Sequence, residues 1–463
     1  MATEPRRLRP LAWRGGPRVR QPQPLIAYRL PSGRGATEQP NATDDPVPLT
    51  ARFWLAVVLA GVATGLFGDL MMWVLFFVEH LTFGDRGHVG FQYLVDHVGA
   101  LHRVVALLVA GAVGGGLWFV LRHVTKGESA DVDDSVWQGT GELSFRRSFG
   151  TSLLSELVVG MGASLGRENA PKIMGGASAS LIAGWTRLDP AQRRLLVACA
   201  AGSGLAAVYN VPLGGALFTA ELLMGSIALP VMLPALACAG IATATAWIYL
   251  PTNATYVGIP QYHFTGSLLL WSLLFGPVAG LLSVAYVRAI GWVSHHRPTG
   301  GWALTAPLVA FGVVGVLGIW YPQLFGNGKD MAHDVFVGAG SLALLGALFA
   351  LKPIATVLCL GSGASGGLFT PTMSTGAMLG GFLGLAWTHL WHGTPVGAFA
   401  LVGAAAVLGA ALQAPLAALA LMLELTHSGF GIAIPMTAAT VLATAVARYV
   451  DGYSIYSARL PAA

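Results

Sequence analysis

The chain has 463 residues, of which 54% are hydrophobic and only 10% are Asp, Glu, Lys or Arg, against about a quarter charged in an ordinary soluble domain. That balance excludes a soluble globular protein. A mean hydropathy of +0.65, with 61 Gly and 13 Trp, describes an all-α polytopic membrane protein whose helices pack through small residues and carry aromatic anchors at the interfaces.

The net charge of +5 is concentrated in the first 50 residues, where eight arginines face four acidic residues. Residues 1–48 read as a disordered basic tail rich in Pro and Gly. Standing just before a spanning segment, such a tail marks the cytoplasmic side rather than a nucleic-acid partner. Its longest apolar piece, Leu25-Ile26-Ala27, is too short for a secretory signal. Apolar character then runs from about 51 to 449, so residues 49–463 are expected to form one transmembrane domain without a soluble insertion. Runs long enough to cross a bilayer, about 20 residues, cover 53–79, 103–121, 231–250, 267–291, 302–320 and 432–447. Between about 145 and 225, and again between about 340 and 427, shorter apolar pieces are broken by Gly and Pro. Broken backbone at membrane depth is tolerated only where protein or a polar cavity satisfies it, and two such regions in matching halves point to a transport site.

The halves correspond. Sliding the chain by 203 residues lays Pro212-Leu213 on Pro415-Leu416, Glu221-Leu222 on Glu424-Leu425 and Asn210 on Gln413. A slide of about 200 sets Gly166, Pro171 and Gly176-Ala177 against Gly366, Pro371 and Gly376-Ala377. Two repeats, about 51–250 and 265–450, followed by a C-terminal segment 451–463, are the expectation. Glu221 and Glu424, at matching ends of the copies, read as structural caps or interface groups.

Residues 160–177 place Arg167, Glu168 and Lys172 in an otherwise small and apolar segment. An intramembrane charge is costly and is by default a functional-site hypothesis. Here it precedes Pro171, suited to a first helical turn, and a helix N-terminus offers unpaired N–H groups to an anion. The Gly-rich run 361–371, with Phe369, is positioned to open a second such helix. Lys172, four residues after Glu168, would either hold its carboxylate ionised or reach an aqueous vestibule. Cys199, Cys238 and Cys359 lie in apolar stretches without ligand spacing and read as core. His263, His295, His296 and His427 lack metal or nucleophile spacing. Neither a metal, a cofactor nor an enzymatic centre is expected. An organic-anion carrier would need polar orienting groups that these Gly-rich loops do not offer.

With these residues in view, the chain resembles the CLC family of chloride channels and chloride/proton antiporters, in the compact form without cytosolic regulatory domains. Gly166-Arg167-Glu168-Asn169-Ala170 is similar to the family's G-R-E-G-P motif, and Gly367-Leu368-Phe369-Thr370-Pro371 matches its G-x-F-x-P motif. Tyr209 to Leu213 with Phe218 and Glu221, and Ile455-Tyr456-Ser457-Ala458, resemble two further family segments. The resemblance implies two inverted repeats whose broken, re-entrant helices meet at a mid-membrane anion site, in a homodimer with one pathway per subunit. It implies a gating role for Glu168, whose carboxylate competes with chloride for one cage of amides. Gly166, Arg167, Glu168, Asn169, Gly367, Leu368, Phe369 and Tyr456 are the implied anion-binding residues. It further implies an integral protein of a prokaryotic cytoplasmic membrane, its partners being chloride or a related anion, protons and lipid.

Three departures from the family pattern qualify that reading. Glycine and proline after the gating glutamate are replaced by Asn169 and Ala170, with proline displaced to Pro171. The family's G-S-G-x-P loop falls on Lys126-Gly127-Glu128-Ser129-Ala130, which leaves Gly127 and Ser129 as weak candidates for coordination. The internal glutamate that collects protons in coupled members falls on Leu222, which carries none. Either the protein is a passive, uncoupled anion channel, or another group delivers protons to Glu168, with intramembrane Glu156 the candidate. Proton-coupled chloride exchange is the leading reading; fluoride is less favoured, given Phe369 and Tyr456.

Overall fold

The computed structural model describes residues 47–84, 90–137 and 139–460; nearly all of the basic tail expected over 1–48 lies outside the described residues. Those residues form seventeen α-helices. The first repeat holds α1 (Ala51–Phe83), α2 (Phe91–Asp96), α3 (Ala100–Val124), α4 (Val132–Trp137), α5 (Phe145–Gly160), α6 (Asn169–Trp185), α7 (Pro190–Tyr209), α8 (Pro212–Leu217) and α9 (Leu229–Ala246). The second holds α10 (Gly266–His295), α11 (Trp302–Leu317), α12 (Lys329–Phe336), α13 (Leu342–Gly361), α14 (Phe369–Thr388), α15 (Val396–Leu412), α16 (Pro415–Thr426) and α17 (Ala433–Val450).

Six of the described helices are long and apolar enough to cross a membrane; four contain a run expected from sequence, and a fifth, α9, covers the run at 231–250 as far as Ala246. The sixth is α13, a single helix within the stretch of shorter broken pieces expected between about 340 and 427. Its Pro353 is absorbed within the helix, as neighbouring helices allow at membrane depth. Conversely, the run at 302–320 yields only the 16-residue α11, which ends before Gly318.

Helix boundaries follow local chemistry. α7 opens with an Asp189–Gln192 capping box and Pro190, and closes on Asn210 in the left-handed region at φ 56°. α15 closes the same way on Gln413 at φ 57°. In each copy a proline then starts a short helix, Pro212 for α8 and Pro415 for α16. These two helices cap one another. Glu221, in the π-helical turn Phe218–Leu223 that extends α8, accepts from Leu416 N at 3.2 Å and Ala417 N at 2.7 Å. Glu424, near the end of α16, accepts from Leu213 N at 3.0 Å and Gly214 N at 2.6 Å. Each N-terminus therefore lies at the other's C-terminus, so the copies run in opposite directions.

The same inversion sets the centre of the molecule. Gly166 and Gly367 exchange antiparallel hydrogen bonds, both 2.7 Å, and α6 and α14 start two or three residues later and run apart. α6 leads to α7, whose Gln192 reaches Pro48 O at the start of α1. α14 ends where Trp387 donates to Ser267 at the start of α10. α10 then returns to the first face, its His295 against Ala458 O.

The cross-caps are testable. Glu424→Ala and Glu221→Ala should each cost about 1–2 kcal/mol, the usual price of a lost cap, read as a lower unfolding midpoint in detergent. An unchanged midpoint in both would mean the caps are incidental.

Candidate anion site

Two helix N-termini, α6 and α14, face the same small volume because the Gly166–Gly367 bridge ties their leading loops together. A Cβ on either glycine would run into the carboxylate of Glu168, so the close approach requires glycine here. The amides of Gly166 and Gly367 are spent on each other. The donors left at the centre belong to the residues that follow.

Glu168 is buried, and its carboxylate points from the start of α6 to the start of α14. Oε1 accepts from the main-chain N–H of Phe369 at 2.7 Å. Oε2 accepts from Thr370 Oγ1 and Tyr209 OH, each at 3.2 Å, and these hydroxyls lie 2.5 Å apart. An amide at a helix start and two hydroxyls around a buried carboxylate make an anion receptor filled by the protein's own anion.

The walls hold this receptor in place. Phe369, buried, has its ring centroid 5.9 Å from that of Tyr209, and the Arg167 guanidinium lies over the Tyr209 ring, 5.2 Å from its centroid. Arg167 also feels the charges of Glu79 and Glu156. Asn169 Nδ2 donates to Ser365 Oγ at 3.1 Å and clamps the two Gly-rich loops. Leu368, fully buried, precedes α14, and its carbonyl accepts from Thr372 Oγ1 at 2.5 Å.

Tyr456 is buried, edge-on to Phe218 with centroids 6.0 Å apart. It is in electrostatic reach of Glu168, though the hydroxyls that bond the carboxylate are those of Tyr209 and Thr370. Lys172 turns away from Glu168. Its Nζ is 2.8 Å from both oxygens of Asp133 and 4.1 Å from the Tyr456 ring centroid, so neither reading of it as a brace for Glu168 nor as a snorkelling group describes it. Ser129 is exposed and its Oγ accepts from Asp131 N at 3.2 Å, in the turn that starts α4. Gly127 is exposed beside it in a left-handed turn at φ 83°. Neither reaches the buried centre.

Glu156, on α5, is fully buried, and neither of its carboxylate oxygens has a hydrogen-bond partner among the described residues. Arg167, Glu168 and Glu79 are the charges that act on it. Leu222 is fully buried in the π-helical turn.

Sequence reasoning passed over four participants. Tyr209 and Thr370 stood inside quoted motifs without a role. Asp133 was hidden in an acidic cluster, and Lys352 is an intramembrane charge that the rule applied to Glu156 would also have flagged. Lys352 is fully buried on α13, donating to Ser164 Oγ at 3.0 Å, Gly326 O at 2.7 Å and Leu324 O at 3.2 Å. It ties the loop before Glu168 to the segment before α12. Among the described residues no cluster of His, Cys, Asp and Glu fits a metal, and the three cysteines are free and buried.

Comparison with known proteins places this geometry in a family. The family model described as "Voltage gated chloride channel" matches residues 106–448. A protein of Ralstonia nicotianae named "Putative chloride channel protein ClcB-like" is 31% identical over 387 residues, covering 80% of this chain and 88% of that protein. The "H(+)/Cl(-) exchange transporter ClcA" of Vibrio parahaemolyticus is 30% identical over 309 residues, covering 65% of this chain and 66% of that protein. The protein of the same name from Yersinia pestis is 31% identical over 315 residues, 65% of each. The chain thus spans slightly less than two thirds of the length of these exchangers. Among solved structures, a slow cyanobacterial Cl−/H+ antiporter aligns with a TM-score of 0.75 at 21% identity, covering 88% of this chain and 97% of that one. A CLC-type fluoride/proton antiporter aligns at 0.71 and 20%, with the same coverage. The chain belongs to the voltage-gated chloride channel (CLC) family of membrane transport proteins.

Proposed function

We propose that this protein exchanges chloride, or a similar small inorganic anion, for protons across a membrane, with Glu168 as the gate. The observation that carries the reading is the seat of the Glu168 carboxylate on the Phe369 amide, where a dehydrated anion would find the same donors. A permeating anion and the carboxylate compete for that seat. Protonation removes the carboxylate's charge, weakens its hold on the amide and the two hydroxyls, and lets the side chain leave so that chloride enters. Amides and hydroxyls carry only partial charge, which holds a dehydrated anion without trapping it. The exchangers and antiporters to which the chain is similar support coupling of this kind.

Glu156 is the proposed proton relay to Glu168. It is a buried carboxylate that no protein donor ties down, and it shares Arg167 with the gate region. Arg193 and Arg194 follow Gln192, which meets Pro48 at the start of α1. Arg194 reaches α4 at Val136 O, where Arg459 acts on Asp133, and Arg297, Arg459, Arg122 and Arg147 act on one another; by the positive-inside rule this face is the cytoplasmic one. The setting is a prokaryotic cytoplasmic membrane, and the assembly is a homodimer with one pathway per subunit. Leu222 favours the second reading, a passive anion pathway without proton coupling.

Simultaneous chloride and pH recording from proteoliposomes, under a chloride gradient with valinomycin present, separates the two. Exchange predicts uphill proton movement driven by chloride; chloride flux without it would establish the passive reading. Glu168→Gln should abolish both proton movement and the pH dependence of chloride flux, and unchanged pH dependence would remove Glu168 from the gate. Glu156→Gln should reduce proton movement at least tenfold while chloride flux persists. Retained coupling in that variant would discard Glu156 as the relay.

A further inference from the structure

On the arginine-rich face, four arginines converge from elements far apart in sequence. Arg122, in the last turn of α3, donates to Gly363 O in the Gly-rich loop before α14. Arg147, in the first turn of α5, donates at 2.7 Å to Oγ1 of Thr125, which caps α3. Arg297 follows α10, whose His295 lies 3.0 Å from Ala458 O, next to Arg459. Arg459 and Arg122 both act on Arg297, and Arg147 acts on Arg122. All four are partly buried, where like charges repel through a medium poorer than water. Burial, with Arg459 and Arg122 beside it, pulls the Arg297 guanidinium down to about 10.

The described residues do not balance these charges. None of the four is in an ion pair among them, whereas Arg193 is paired with Glu142 and Arg288 with Asp451. Two carboxylates act on the group, Glu128 on Arg147 and Asp131 on Arg297. Asp133, which Arg459 also reaches, is paired with Lys172. Four positive charges less two negative ones leave an excess of two. The Nε atoms of Arg297 and Arg459 are buried and lack an acceptor among the described residues, and an unpaired buried donor is costly. A halide would offset one charge and has no shape to match. A phosphate group carries about −1.5 to −2 at neutral pH on strong acceptor oxygens, which guanidinium forks engage through paired N–H groups.

We propose that Arg122, Arg147, Arg297 and Arg459 bind a phosphate group, free or on a lipid headgroup, and that its occupancy slows anion passage. The binding goes beyond the transport reading; the slowing rests on it. Neutralising the excess charge removes a field that gathers anions at this face. A phosphate oxygen drawing on Arg122 also competes with Gly363 O, whose loop runs through Ser365, clamped by Asn169, to the bridging Gly367.

Inorganic phosphate titrated calorimetrically into the purified full-length protein in detergent reads binding. Chloride flux is read in proteoliposomes with phosphate on both sides, and separately in phosphatidylcholine vesicles with and without phosphatidic acid. Phosphate should bind and slow chloride flux, and Arg297→Gln with Arg459→Gln should weaken both effects about tenfold. Arg193→Gln, which removes an arginine already paired with Glu142, should change neither. Should the double variant fail to fold, Arg459→Gln alone is expected to weaken phosphate binding about threefold. Slowing by phosphatidic acid alone, lost in the same variants, would assign the site to a lipid headgroup. No effect of phosphate from either source, or an undiminished effect in the variants, would overturn the site. Phosphate binding with unchanged chloride flux would overturn the slowing. Phosphate binding in a wild-type protein that passes no chloride would overturn the transport reading, and the slowing with it, while the binding site stands.

Discussion

Two glycines exchanging hydrogen bonds across the centre of the molecule set everything the site can do. The Gly166–Gly367 bridge holds the starts of α6 and α14 in register, and it does so without side chains, which leaves room for the Glu168 carboxylate between them. The bridge also spends two amides that a looser loop would have left free. The remaining amide at the start of α14, on Phe369, is therefore the one that meets the carboxylate. Inversion of the repeats is what makes this meeting possible: two helices that start at the centre and run to opposite faces bring two N-termini, and their partial positive charge, to one point.

Charge inside this membrane domain is matched with a consistent logic. Glu221 and Glu424 each cap the N-terminus of the other's helix, so both carboxylates are committed to amides that would otherwise be unpaired. Lys352 is committed to two carbonyls and a hydroxyl, and Lys172 to Asp133. Against that background the bare oxygens of Glu156 are an exception, and a buried carboxylate without a donor has a cost that bracing alone does not justify.

Much of this was legible because it is local. A proline at a helix start, a Gly-rich run before it and a charge in an apolar segment are read within a dozen residues, which is why Glu168, Phe369 and the helices they open were identifiable, and why the 203-residue slide found Asn210 and Gln413, both left-handed C-caps. What stayed hidden depends on partners distant in sequence. Spacing along α6 places Lys172 near Glu168, but tertiary packing offers it Asp133, a carboxylate 39 residues away, and the ion pair outweighs proximity along one helix. The glycines likewise announced a close approach without saying that each would approach the other. Ser129 was a candidate only by its nearness to a motif position; the turn that begins α4 takes its hydroxyl for main-chain capping.

The replacement at Leu222 has a sharper meaning in this setting than a missing proton carrier. Its neighbour Glu221 cannot substitute for it, because a proton on that carboxylate would weaken the caps on Leu416 N and Ala417 N and loosen the junction between the repeats. Glu156 lies on the other side of the question. Its charged neighbours include Glu79, four residues before the end of α1 and thus toward the face opposite the arginines. In the proposed exchange Glu156 would therefore serve the side of Glu168 nearer that face. Protons and anions in that exchange must each pass Glu168 to cross between the faces, so their coupling rests on the competition between its carboxylate and the anion for the Phe369 amide.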